Sequence, residues 1–114
     1  MIQVVIEKDS SGQVRSFEMK GHAEFAENGK DLVCAGASAV SFGAVNAIMV
    51  LTNITPDIQQ GQDGGFLKVS FPHNLSHEKN EQVQLLVQAM IVSLQTIEQD
   101  YAQHIKITFK KSRG

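Results

Sequence analysis

Residues 83–110 read VQLLVQAMIVSLQTIEQDYAQHIKITFK, and two periods meet in this one stretch. Up to Tyr101 the residues Val83, Val87, Met90, Leu94, Ile97 and Tyr101 recur at alternating steps of four and three. That spacing lines one face of an α-helix. From Ile105 the rhythm changes to strict alternation, with Ile105, Ile107 and Phe109 set against Lys106, Thr108 and Lys110. Such a run is an edge-like β-strand with one apolar face. A helix with one buried stripe and a strand with one buried face each need a covering layer.

Working outward, Ile2 to Glu7 is dense in β-branched residues and reads as a strand, and Asp9-Ser10-Ser11-Gly12 supplies turn chemistry. A second strand follows, with Arg15, Phe17 and Met19 on one face and Ser16, Glu18 and Lys20 on the other. The two form a hairpin. Gly21 to Val33, with Asn28, Gly29 and scattered charges, is a loop by composition. From Cys34 the residues Ala37, Val40, Ser41, Ala44, Ile48 and Leu51 recur at helical spacing, and Pro56 ends the helical tendency. Gly61, Gly64 and Gly65 mark a turn before a strand over Phe66 to Phe71, stopped by Pro72. Asn74 or Ser76 caps the second helix.

The predicted order is β-β-α-β-α-β. It implies a two-layer α+β sandwich, with two helices packed on a four-stranded, mostly antiparallel sheet, in one domain over residues 1–114. Exposed strand edges and a glycine-rich first helix point to a homodimer.

Composition narrows the partners. The 114 residues carry a formal net charge of −2, without the basic excess that phosphate neutralisation calls for. Direct nucleic-acid binding is not expected, although Lys110, Lys111 and Arg113 make a small basic end. One cysteine means no internal disulfide, which suits a reducing compartment. The early polar residues do not form a signal sequence, and Cys34 to Leu51 is too rich in Ala, Gly and Ser for a membrane span. A cytoplasmic location with no membrane contact is expected.

A lone cysteine beside an apolar run is usually a small core residue. Three features set Cys34 apart: its expected place at a helix N-terminus, the polar loop before it, and His22 at the end of a strand. A free thiol has a pKa of about 8.5 and is only a few per cent thiolate at neutral pH. A helix dipole contributes at most ~2 kcal/mol. An adjacent imidazolium supplies the rest and later protonates the leaving amine. On this reading Cys34 is the nucleophile and His22 its proton acceptor. Asp31 is the candidate that orients the imidazole, and Ser38 lies one helical turn beyond the thiol. The backbone N–H groups of Cys34, Ala35 and Gly36 are candidates for an oxyanion hole.

Other chemistries fit less well. A cysteine-based phosphatase would need an arginine where Val40 stands. His73, His77 and His104 form no zinc pattern with Cys34, and a second redox cysteine is missing. Neither a metal nor a cofactor is expected.

The runs Gly21-His22-Ala23 and Gly29-Lys30-Asp31-Leu32-Val33-Cys34-Ala35, followed by Ser38, resemble the signature of the bacterial ribosomal-processing cysteine protease family, Prp. The likeness continues through Ser38-Ala39-Val40, Asn46-Ala47-Ile48, Gly64-Gly65 and Ser93-Leu94-Gln95-Thr96-Ile97-Glu98. It implies a homodimeric α+β endopeptidase that removes an N-terminal extension from large-subunit ribosomal protein twenty-seven, cutting between an aromatic residue and a small one. By position, His22 and Cys34 match the family's catalytic dyad, and Gly21, Asp31 and Ser38 match further signature positions. The competing expectation is a non-catalytic module that binds the ribosome or RNA, motivated by the small α+β architecture and the basic end.

Overall fold

The computed structural model describes residues 1–21, 27–62 and 65–112, with residues 27–31 described by their backbone alone. The elements are β1 (Ile2–Lys8), β2 (Val14–Lys20), α1 (Glu27–Thr52), β3 (Asp57–Gln60), β4 (Phe66–Ser70), α2 (His77–Asp100) and β5 (Ile105–Lys111). The β1–β2 turn is built by Asp9, whose carboxylate accepts the N–H groups of Ser11 and Gln13, each at 3.0 Å, and the Ser11 hydroxyl at 2.8 Å. These bonds, the Ser11 hydroxyl foremost, hold the Asp9 carboxyl below its usual range. Gly12 completes the turn at a φ of +84°.

The sheet runs β3-β4-β2-β1-β5, and only β1 and β5 are parallel. Its register stacks apolar side chains in cross-strand rows. One row is Val69, Phe17 and Ile6, and the next is Leu67, Met19, Val4 and Ile107. All of them are buried. The opposite face carries Glu7, Ser16, Glu18, Lys68 and Lys110, with Lys110 3.5 Å from Glu7. A sheet with one apolar and one polar face needs a single covering layer, and the helices provide it.

Helix α2 starts at a Ser76 cap, whose hydroxyl accepts the Lys79 N–H at 3.2 Å, and it buries Val83, Val87, Met90, Ile91 and Leu94. Within α1, Leu32–Thr52 is long and apolar enough to cross a membrane by length and composition. Here Val33, Ala37, Ser41, Val45, Ile48 and Thr52 are buried along one side of it. That stripe makes α1 a core helix. It ends at Asn53 (φ 61°), and the Lys79 ammonium donates to the Thr52 carbonyl at 2.7 Å. The cation thus sits at the negative end of the α1 dipole.

The two-layer α+β class and the mostly antiparallel sheet are as expected, with three differences. The sheet has five strands, because β3 intervenes between α1 and β4. Its Asp57-Ile58-Gln59-Gln60 carries a single large apolar residue and lies between Pro56 and Gly61, so it shows no alternation to read. Next, α1 begins at Glu27 rather than Cys34. Val33 explains this, since its burial carries the core stripe one turn further back and outweighs the roughly 1 kcal/mol cost of a helical glycine at Gly29. Lastly, Leu51 is exposed and Thr52 takes the buried place at the helix end.

One side-chain clamp ties the layers together. Gln84 on α2 accepts the Val14 N–H and donates to the Val14 carbonyl, both at 2.9 Å, beside the register shift between Glu7 and Lys8. The substitution Gln84→Ala strands both backbone groups, and each unsatisfied group costs about 1–3 kcal/mol when buried. Because the pair is partly exposed, we expect a loss of about 2 kcal/mol, seen as a lower urea midpoint at unchanged slope.

Candidate active site

Cys34 lies about two helical turns into α1, half-buried and packed against the core. It does not crown the helix, as the sequence suggested. The dipole's effect fades within the first turn, and Cys34 lies beyond that turn in this conformation. The N–H groups of Cys34, Ala35 and Gly36 belong to the hydrogen-bonded run of the helix, where each amide points to the carbonyl four residues earlier. In this conformation they are not open donors for an oxyanion.

Around Cys34 the helix is bordered by small groups. Gly36 faces α2, where a Cβ at that position would lie 3.6 Å from Cδ1 of Ile97. Ser38, one turn beyond the thiol, is exposed, and its neighbour Ser41 is buried with its hydroxyl 4.0 Å from the Met19 sulfur. The thiol therefore has a polar, open side towards Ser38 and an apolar side towards the core.

The strand end that leads to His22 is held firmly. Lys20 pairs with Gln3 on one side and Phe66 on the other, and the Gly21 N–H donates to the Gly65 carbonyl at 3.0 Å. Gly21 has a φ of +94°. Glu27 is six positions after Gly21, a reach of at most about 20 Å, so the start of α1 lies near this end of the sheet. The side chain of Asp31 and all of His22 lie outside the described residues, and the expected pairing of His22 with Cys34 falls there too.

Sequence reasoning missed the neighbours of this end. Met1 belongs to no motif, Gly65 and Ile97 drew notice only as a turn residue and a helix-stripe residue within the family likeness, and only the strand register and the helix pairing bring these three to Gly21 and Gly36. Another missed contact is Glu98, whose carboxylate accepts the Ile107 N–H at 2.8 Å and covers that amide of β5. Charges of this kind blunt an exposed strand edge.

The family model for cysteine protease Prp matches residues 1–106. A ribosomal processing cysteine protease Prp from Bacillus subtilis is 50% identical over 108 residues, covering 95% of this chain and 96% of that one. The namesake from Staphylococcus aureus is 44% identical over 110 residues, covering 96% of this chain and all of its own. Two crystal structures of the S. aureus protease superpose on this fold over 96% of the chain. One holds a covalently linked product peptide, with a TM-score of 0.85, and the other a substrate peptide, with a TM-score of 0.83.

The continuous helix through Cys34 can be tested at Gly36. A methyl group there meets Ile97 at an ordinary contact distance, so Gly36→Ala should raise stability by about 0.5–1 kcal/mol. Urea unfolding measures this, and a clear loss of stability would mean that Gly36 is not helical.

Proposed function

We propose that this chain, which belongs to the cysteine protease Prp family, removes an N-terminal extension from large-subunit ribosomal protein twenty-seven, with Cys34 as nucleophile and His22 as its proton acceptor. The observation that carries the assignment is the cysteine count. The chain is a cysteine protease by family, and Cys34 is its one cysteine. No other thiol is available to attack a peptide bond. The ribosomal-processing relatives and the peptide-bound S. aureus structures support the substrate class.

In the proposed reaction the Cys34 thiol passes its proton to the His22 imidazole, and the thiolate sulfur attacks the carbonyl carbon of the aromatic residue. The C–N bond breaks as the imidazolium gives its proton to the leaving amine, which leaves a thioester on Cys34. Water, deprotonated by the imidazole, attacks the thioester and frees the carboxylate and the thiol. Neither a metal nor a cofactor takes part. Asp31 orients the imidazole, and Ser38 offers a hydrogen bond on the open side of the thiol. If Cys34, Ala35 and Gly36 supply the oxyanion donors, the reacting form has α1 starting at Cys34, so substrate binding unwinds its first two turns.

The reaction is cytoplasmic in this proposal, where reducing conditions keep the thiol free. The protein acts as a homodimer, and the helical layer offers the surface for it. Val50 is 75% exposed, Leu85 71% and Val92 60%, beside an apolar groove of about 230 Å³ between α1 and α2 lined by Val40, Ala44, Leu86 and Met90. Apolar patches of this kind mark protein interfaces.

A peptide bearing the extension tests the mechanism. Cys34→Ala and Cys34→Ser should each lower cleavage by at least on the order of 10³-fold, and His22→Ala should lower kcat by about 10²–10⁴-fold. Wild-type rates in both Cys34 variants would exclude the mechanism. The wild-type pH profile should be bell-shaped, and a single limb rising into alkali would exclude His22 as the activating group. For the dimer, light scattering should give twice the 12.5 kDa chain mass, and Val92→Asp should return it to the single-chain value. A wild-type mass equal to one chain would rule the dimer out.

A further inference from the structure

The sheet face that the helices leave uncovered is not uniform. Towards the β1–β2 turn it opens into a cleft of about 270 Å³, across the sheet from α1 and Cys34. The floor is one cross-strand row, Ser70, Ser16 and Glu7. Lys68 borders the row on β4, while Arg15, near the start of β2, and Ser112, just past the end of β5, close it.

The polar groups of this cleft are mostly donors without acceptors. Arg15 donates from Nη2 to the Phe71 and Pro72 carbonyls, at 3.2 and 3.0 Å, which fixes its guanidinium. Its Nε is buried without a hydrogen-bond partner among the described residues, and so is the Ser112 hydroxyl. Ser16 is only 8% exposed, and its hydroxyl makes no hydrogen bond among the described residues. Lys68 is half-buried; Glu18 stands opposite it in the register, but no ion pair joins them. The nearby carboxylates are engaged elsewhere. Glu7 lies 3.5 Å from Lys110, and Asp9, within electrostatic reach of Arg15, holds the β1–β2 turn. Water can satisfy a single donor, but it does not neutralise two half-buried cations.

The donors also select the shape of an anion. A carboxylate offers about four acceptor sites on two oxygens in one plane. Here a guanidinium Nε, an ammonium and three hydroxyls converge from β2, β4 and the end of β5. A terminal phosphate offers three strong acceptor oxygens out of one plane and a charge of about −1.5 to −2, which two cations match. We propose that this cleft binds the terminal phosphate of a small molecule, free phosphate or a phosphate monoester, with Arg15, Lys68 and the Ser16, Ser70 and Ser112 hydroxyls as donors. The volume lies just below the range of about 300–1,000 Å³ usual for ligand pockets, so the phosphate and a few atoms behind it fill the cleft. The site stands independently of the thiol chemistry on the other side of the sheet.

The test titrates the full chain with inorganic phosphate, methyl phosphate and dimethyl phosphate at constant ionic strength, following backbone amides by NMR. Inorganic phosphate or methyl phosphate should shift the amides of Ser16, Ser70 and Ser112 saturably, with a Kd of about 1 mM or tighter. Saturation by both assigns the site to the phosphate group alone; saturation by methyl phosphate alone assigns it to monoesters. Dimethyl phosphate, with a single charge and two terminal oxygens, should bind at least about tenfold more weakly. Lys68→Gln should weaken binding about tenfold, and Ser16→Ala several-fold. Lys106→Gln removes a cation outside the cleft and should leave binding unchanged. Phosphate at about ten times its Kd should raise the melting temperature of the wild type, and of Lys68→Gln much less. Three results overturn the proposal: no saturation by either inorganic or methyl phosphate, equal binding of dimethyl phosphate, or equal weakening by Lys106→Gln and Lys68→Gln. Should Lys68→Gln not fold, Ser16→Ala takes its place, and wild-type affinity in that variant overturns the proposal as well.

Discussion

Strand β2 is paired on both flanks, and the candidate active site depends on that pairing. Phe17 and Met19 sit between β1 and β4 in the cross-strand rows that fill the space under the helices. The same pairing continues to Lys20, so the strand is still constrained where it meets Gly21. A central strand held this way has little freedom to slip, because a one-residue shift would turn its apolar face to water. The rigid part of the molecule thus extends to the residue before His22.

Where hydrophobic period was strong, the fold was legible. The α2 stripe, the β1–β2 hairpin and the alternation of β5 all lie where the residues indicated, and Ser76 proved to be the cap. Two elements were hidden for different physical reasons. β3 is a short polar edge strand that owes its existence to hydrogen bonds with β4 rather than to an apolar face. The start of α1 was masked by Asn28, Gly29 and nearby charges, residues of low or mixed helix propensity, while tertiary packing at Val33 favoured the helix. At the site, the sequence singled out Cys34 because it is the chain's one thiol, but not its depth inside α1, which follows from the helix start at Glu27. The constraint on Gly21 was not readable, because the groups that confine it come from Met1 and Gly65.

The position of Cys34 inside α1 shifts the weight of the activation argument. A thiol at a helix start can draw on unpaired amides and the dipole together. A thiol two turns in, as Cys34 is in this conformation, lies beyond both. The two outer faces of the molecule also differ sharply. The free face of the sheet is charged and mixed in sign, while the helical face presents Val50, Leu85 and Val92 to its surroundings.

The parallel pair β1–β5 joins the first strand to the last. Ile105 and Ile107 complete the core beside Ile2 and Val4, and the Ile2 N–H binds the His104 carbonyl at 2.9 Å. Proteins are synthesised from the N-terminal side, so β1 waits through nearly the whole of translation for its second neighbour. Closing so long a stretch of chain is also the slow kind of contact to form. A nascent chain therefore carries α1 well before it has a finished sheet beneath it, and the complete fold forms only after the last strand emerges.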